Sequence, residues 1–317
     1  MEIASLEAWK YGDPESFLLR QALAERFGVD ISNLVCGTGI DGLLNSLVRL
    51  YVEPGVKVVT SDGAYPTFNY HVVGYGGTLT KVPFVDDKED PTSLLAAARE
   101  NGARLIYLAN PDNPMGSWHA AEVIDDLIAG LPEGCLLVLD EAYVEFAPEG
   151  TAPAIDTSNE QVIRLRTFSK AYGLAGMRVG YAIGSKENIR NFEKVRNHFG
   201  MSRVSQSAAL AALKDDAWLD EIKLKVATSR ERLASIAREN GLTPLPSATN
   251  FVTMDCGRDA GFAKAVLDAL VARGLFVRMP FAAPGNRAIR ISCGTEKDLD
   301  AFAQVLPEAL DAARNSA

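Results

Sequence analysis

Four stretches of this 317-residue chain place charged, amide or aromatic side chains directly after apolar runs. Asp62-Gly63-Ala64-Tyr65-Pro66 follows Val56 to Thr60, and Asn110-Pro111-Asp112-Asn113-Pro114-Met115-Gly116 follows Leu105 to Ala109. Asp140-Glu141-Ala142-Tyr143 follows the run ending at Leu139, and Thr167-Phe168-Ser169-Lys170 the run ending at Arg166. In an open α/β sheet, ligands lie outside the carboxyl ends of the strands. If these runs are strands of one sheet, an aromatic ring, an amide, a carboxylate and a lysine meet at one edge. A fifth stretch, Gly37-Thr38-Gly39-Ile40-Asp41-Gly42, opens an apolar helical stripe. Its free N–H groups and the positive end of the helix dipole favour an anion such as phosphate. The G-x-G-x-x-G spacing also admits a dinucleotide, with an acidic residue about 20 positions on to bind ribose. Asp62, 23 residues after Gly39, leaves that reading open.

The elements that must position these groups are legible as alternation. Short apolar or β-branched runs bounded by Gly, Pro and Asp are separated by stretches of helical period, as in βα units around a mainly parallel sheet. The class is α/β. Expected strands are Val56 to Thr60, Leu79 to Pro83, Leu105 to Ala109, Cys135 to Leu139, Val162 to Arg166 and Val179 to Ile183. Several are apolar on both faces, as buried parallel strands are. Leu43, Leu44, Leu47 and Val48 form one helical stripe, and Leu19, Leu23 and Phe27 another that stops at Gly28. From Ser185 to about Asn240 the pattern is mainly helical. Asn250 to Met254, Leu275 to Met279 and Ala288 to Ser292 then return as strands, which indicates a second, smaller unit.

Composition narrows the partners. With 47% hydrophobic and 23% charged residues the chain should fold compactly. A net charge of -9 offers no positive field to a nucleic acid or an anionic membrane. No basic leader opens the sequence and no apolar window reaches bilayer length, so a cytoplasmic location is expected. Cys36, Cys135, Cys256 and Cys293 lie far apart, as do His71, His119 and His198, so neither a metal site nor a histidine-based triad is expected.

The stretch from Arg166 to Tyr181, Arg-Thr-Phe-Ser-Lys-Ala-Tyr-Gly-Leu-Ala-Gly-Met-Arg-Val-Gly-Tyr, resembles the pyridoxal-phosphate lysine motif of the fold-type I aminotransferases. Asn110 to Gly116 and Val138 to Tyr143 resemble that family's Asn-Pro-x-Asn-Pro-Thr-Gly and Asp-Glu-Ala-Tyr motifs, in the same order. Tyr11-Gly12-Asp13-Pro14, Glu53-Pro54-Gly55 and Ala288 to Thr295 resemble landmarks of its histidinol-phosphate aminotransferase branch. The likeness spans nearly the whole chain. It implies a large α/β/α cofactor domain over residues 29–205 and a small α+β domain over 206–317. Residues 1–28 would be a short amino-terminal segment packed on the small domain and on the partner subunit of a homodimer.

The resemblance also implies roles. Lys170 would form the Schiff base with pyridoxal 5'-phosphate and then move the proton between the substrate Cα and the cofactor. Asp140 would pair with the protonated pyridine nitrogen, and Tyr143 and Asn113 would donate to the phenolic oxygen. Tyr65 would stack on the ring. The phosphate would rest on Gly39 and on the N–H groups of Ile40 and Asp41, on Thr167 and Ser169, and on the Arg178 guanidinium. Tyr11 would reach it from the other subunit. Arg290 would bind the substrate carboxylate or its equivalent, with Arg278 as a second substrate arginine.

The implied reaction moves an amino group from an amino acid or amino alcohol phosphate to a 2-oxo acid such as 2-oxoglutarate. Histidinol phosphate and aromatic amino acids are the expected donors. Decarboxylation of an amino acid phosphate such as threonine phosphate, or cleavage of a C–S bond, shares the same fold and cofactor, as does a non-catalytic cofactor-binding sensor. Three positions depart from the branch. Tyr11 comes without the Asn-Glu-Asn-Pro-Tyr-type arm that precedes it there, Met115 replaces the usual Thr, and Gly42 replaces an acidic residue.

Overall fold

The computed structural model describes Glu7 and residues 9–316. In chain order the elements are α1 (Phe17–Phe27), β1 (Leu34–Gly37), α2 (Gly39–Tyr51), β2 (Lys57–Ser61), α3 (Pro66–Gly74), β3 (Thr78–Val82) and α4 (Pro91–Asn101). There follow β4 (Leu105–Ala109), α5 (Ala121–Ala129), β5 (Leu136–Asp140), β6 (Val162–Thr167), β7 (Gly180–Gly184), α6 (Lys186–Phe192) and α7 (Arg203–Leu213). The chain ends with α8 (Asp216–Glu239), β8 (Thr243–Pro244), β9 (Phe251–Asp255), α9 (Ala260–Ala272), β10 (Ala288–Ser292) and α10 (Glu296–Ser316).

Seven strands form one sheet in the order β1-β7-β6-β5-β4-β2-β3. β7 runs antiparallel to both neighbours and the remaining pairs are parallel. Every residue of β4, β5 and β6 is buried, as a sheet covered by helices on both faces requires. Strand alternation sorts those residues between two cores. Leu105, Tyr107, Ala109, Leu136, Val138, Ile163 and Leu165 pack with α2 and α3. Ile106, Leu108, Leu137, Leu139 and Val162 pack with α4 and α5 on the opposite face. Continuing the alternation, Asp140 and Thr167 fall on the α2 face, the face on which Gly39 begins its helix.

α2 keeps that helix start close to the sheet. Leu43, Leu44, Leu47 and Val48 are all buried, and each such side chain contributes about 1.5–3 kcal/mol. Gly180 in β7 is what permits the approach: a Cβ there would lie 2.9 Å from the Gly39 carbonyl carbon and from the Ile40 nitrogen. α1 ends as expected at Gly28, whose positive φ of 64° suits glycine.

The second sheet is antiparallel, in the order β10-β9-β8. Its core includes Leu233, Met254, Phe262, Ile289 and Phe302, from α8, α9, α10 and two strands. The strand expected over Leu275 to Met279 does not form; that stretch makes only an isolated bridge between Arg278 and Arg290. Pro280 supplies no N–H to carry the ladder on, so pairing stops there. β1 was not expected: at four residues it reads as the approach to a glycine turn, yet it completes the sheet beside β7. No described helix is long and apolar enough to cross a membrane.

Candidate active site

A cavity of about 180 Å³ opens at the carboxyl edge of β4, β5 and β6. Ile40, Asp41, Tyr65, Asn113, Asp140 and Tyr143 line it, together with Thr167, Ser169, Lys170 and Arg178. The five separated stretches of sequence therefore converge on one space. Its base is formed by a buried carboxyl group. Asp140 is 5% exposed. One carboxylate oxygen accepts the Tyr107 hydroxyl at 2.7 Å and the other the Ala142 N–H at 3.0 Å. Burial nevertheless pushes its pKa up to about 6, against the lowering effects of those donors and of Lys170. Lys170 shows the opposite shift. Burial holds its ammonium below the ordinary lysine range, although Tyr65 and Asp140 favour its charge. Its Nζ stands 5.1 Å from the centroid of the Tyr143 ring.

The far end of the cavity suits an anion. Thr167 Oγ1 lies 2.9 Å from Ser169 Oγ, and Arg178 Nη1 donates to Ser169 Oγ at 3.3 Å and to the Ala175 carbonyl at 3.1 Å. Arg178 has a left-handed backbone, φ 52°, which is uncommon for a residue with a Cβ. Gly39 has φ 77°, and a Cβ there would meet the Arg178 guanidinium at 2.5 Å. Glycine thus leaves a cradle between a helix amino terminus, two hydroxyls and a guanidinium.

On the mouth side, Arg290 Nη1 donates to Asn113 Oδ1. The Arg290 guanidinium lies 4.7 Å from the Phe251 ring centroid, and Phe251 meets Tyr143 edge-on at 5.5 Å. Burial lowers the Arg290 pKa, opposed by Tyr143 and reinforced by Arg278. Arg278 and Arg290 line a neighbouring cavity of about 260 Å³ that shares Tyr65 and Asn113 with the first. Tyr11 is not at either cavity of its own chain; it is 82% exposed, 5.1 Å from the Phe199 ring. Asp62 is also outside, paired with Lys81 at 3.4 Å on the surface, so the ribose-binding acid that a dinucleotide needs is not in place.

Two participants escaped the sequence reading. Tyr107 sits mid-strand in an apolar run, and only its hydroxyl among aliphatic neighbours hints at a polar partner. Phe251 opens β9 and looks like any core aromatic. Behind them lies a buried acidic pair. Glu89 accepts the Ser61 hydroxyl at 2.8 Å and the Ala109 N–H at 3.3 Å. Asp112 accepts the Ser117 hydroxyl at 2.7 Å and the Met115 N–H at 3.1 Å, which braces the loop carrying Asn113. Burial raises both, Asp112 to about 6 and Glu89 well above the usual carboxylate range.

A three-layer α/β/α fold whose carboxyl edge presents a half-buried lysine, a buried aspartate and an anion cradle suits a group-transfer enzyme with a phosphorylated ring cofactor. The chain belongs to the aminotransferase class I and II family, whose profile matches residues 4–306. It is 32% identical over 314 residues to the histidinol-phosphate aminotransferase of Moorella thermoacetica, covering 98% of this chain and 80% of that protein. With the enzyme of the same name from Erythrobacter litoralis the identity is 36%, covering 96% and 84%. The crystal structure of histidinol-phosphate aminotransferase from Sinorhizobium meliloti in complex with pyridoxal-5'-phosphate superposes with a TM-score of 0.96. It is 53% identical and covers 99% of this chain and 85% of that one.

Proposed function

We propose that the cavity holds pyridoxal 5'-phosphate and that the enzyme transfers an amino group from an amino alcohol phosphate, histidinol phosphate first, to 2-oxoglutarate. The carrying observation is the placement of Lys170 and Asp140 on one cavity whose other end is the Gly39–Arg178 cradle. Bound there, the cofactor would supply an aldehyde to receive the amino group and a cationic ring to accept electrons from the substrate Cα.

The chain's own residues provide the rest. Asp140, once ionised, would hold the proton on the ring nitrogen, and Tyr107 orients its carboxylate through the 2.7 Å hydrogen bond. Burial favours the neutral amine of Lys170, the form that can take a proton from the substrate Cα and return it. Tyr65, 36% exposed at the start of α3, would cover one ring face. Tyr143 and Asn113 would donate to the phenolic oxygen. Ile40, Asp41, Thr167, Ser169 and Arg178 hold the phosphate. Arg290 takes an anionic group of the substrate, and Arg278 stands beyond it for a second.

The proposal includes a cytoplasmic homodimer in which Tyr11 completes the partner's phosphate site. Its support is a set of exposed apolar side chains: Phe199, 56% exposed and in ring contact with Tyr11, and near Tyr11 in the chain Trp9, 75%, Phe17, 52%, and Leu18, 65%. A panel of amino donors with 2-oxoglutarate tests the reaction. Glutamate formation from histidinol phosphate is expected. Release of carbon dioxide or ammonia without glutamate would replace transfer by decarboxylation or elimination.

A further inference from the structure

Between β3 and α4 the chain turns tightly, with Val85 pairing to Lys88 across Asp86 and Asp87. Both aspartates have left-handed backbones, φ 50° and 61°, a conformation that Asp tolerates better than most residues. The turn points Asp87 at the other sheet. Its carboxylate accepts from both ends of the Arg287 fork, Nη1 to Oδ1 at 3.0 Å and Nη2 to Oδ2 at 2.8 Å. Arg287 also donates from Nε to Asp255 at the end of β9, 2.7 Å, and from Nη1 to the Pro284 carbonyl, 2.7 Å. Asp255 alone would keep Arg287 within its own half of the molecule. The pair with Asp87 is what crosses from the second sheet to the first, joining residues 200 positions apart. The side chains are 28%, 23% and 20% exposed, so water screens the fork only in part.

What the fork holds is the segment 278–287, which has no ladder of its own beyond the Arg278–Arg290 bridge. That bridge anchors one end, with N–H to carbonyl distances of 3.2 and 2.7 Å. From there the segment crosses the mouth of the site. Ala282 packs at Gly63, where a Cβ would be 3.0 Å from it, and Gly285 packs at Met115, where a Cβ would meet the sulfur at 2.8 Å. Arg278 and Phe281 line the mouth cavity along this span.

We propose that Asp87 and Arg287 are positioning residues for the amino donor: their ion pair pins the 278–287 strap so that Arg278 and Phe281 stand over the donor pocket. The inference rests on the aminotransferase reading of the site only for its kinetic consequence; the pinning is a property of the chain alone.

The test uses the holoenzyme and Asp87→Asn, since Asn accepts a left-handed backbone and is nearly isosteric. The expected result is a rise of about tenfold in KM for the donor, with kcat and the visible spectrum of the bound cofactor unchanged. In the Arg278→Ala background the same substitution should add little, because the residue it positions is already gone. Hydrogen exchange over residues 278–287 should quicken in Asp87→Asn with no substrate present. This readout needs no turnover, so it separates failure of the strap from failure of the donor assignment. Arg287→Ala should reproduce both effects. Unchanged exchange over 278–287 overturns the proposal, as does a donor KM that stays put or a loss that is fully additive with Arg278→Ala.

Discussion

At the carboxyl edge of the large sheet, Asp140, Tyr107 and Thr167 stand on the same pleated face of three fully buried strands, and the strand ladder fixes their spacing. At the mouth, Arg278 and Phe281 ride a segment held to the second sheet by one isolated bridge, Arg278 to Arg290, and by the Cys256 N–H on the Arg287 carbonyl, and Phe281 is 63% exposed. Both regions carry charge, but only the first is held by cooperative backbone pairing. The difference is between an edge fixed before any ligand arrives and a mouth fixed by a few side-chain bonds. Removing a group from the edge should therefore change the chemistry, and disturbing the mouth should change affinity and choice of donor.

The largest effect expected from the edge is that of Asp140→Ala. It should lower kcat by about a thousandfold, on the order of 4 kcal/mol, in a steady-state assay at saturating donor. A loss confined to KM would break the contrast between the two regions. Arg290→Ala, at the boundary, should reduce kcat/KM for donor and oxo acid alike by about a hundredfold, as loss of a charge-assisted anion contact does. Tyr107→Phe should weaken cofactor binding by about tenfold, the lower end of the worth of one hydrogen bond to a charged group, measured by fluorescence titration. An unchanged affinity would mean that Tyr107 only packs.

The raised Asp140 pKa gives a pH test of the same edge. The carboxyl is neutral below about pH 6 and ionised above it, and pairing with a ring cation needs the ionised form. Cofactor affinity should therefore fall as pH drops through about 6. Without cofactor the sign reverses. A carboxylate whose folded pKa lies above its unfolded value withdraws stability as pH rises from about 4 to about 6. The Asp140→Asn apoprotein should then melt higher than wild type at pH 8 and no higher at pH 4. Equal melting at both values would place the buried charge cost elsewhere.

The same contrast explains what could be read from the residues. Strand ends announce themselves because an apolar run must stop somewhere, and Asp140, Lys170 and Asn113 stand just past such stops. Alternation along β4 carries Tyr107 to the face of Asp140, but this becomes visible only with the register between β4 and β5 known. The strap gives no such sign. Leu275 to Met279 has the composition of a strand, and what denies it a ladder is Pro280 together with a partner that pairs at one residue only. Asp87 and Arg287 lie 200 residues apart, and no local pattern joins them. The proposed donor site is thus fixed by long-range contacts, whereas the proposed cofactor site is fixed by five short stretches at one edge of one sheet.

The central claim is that Lys170 is the residue to which the cofactor is joined and through which the proton moves. It is tested most directly by the visible absorption spectrum of the purified protein loaded with pyridoxal 5'-phosphate, for wild type and for Lys170→Ala. The expected result is a visible band that shifts on adding an amino donor in the wild type and is absent in the variant, whose far-ultraviolet circular dichroism is unaltered. An identical band, with an identical response to donor, in Lys170→Ala would contradict the account.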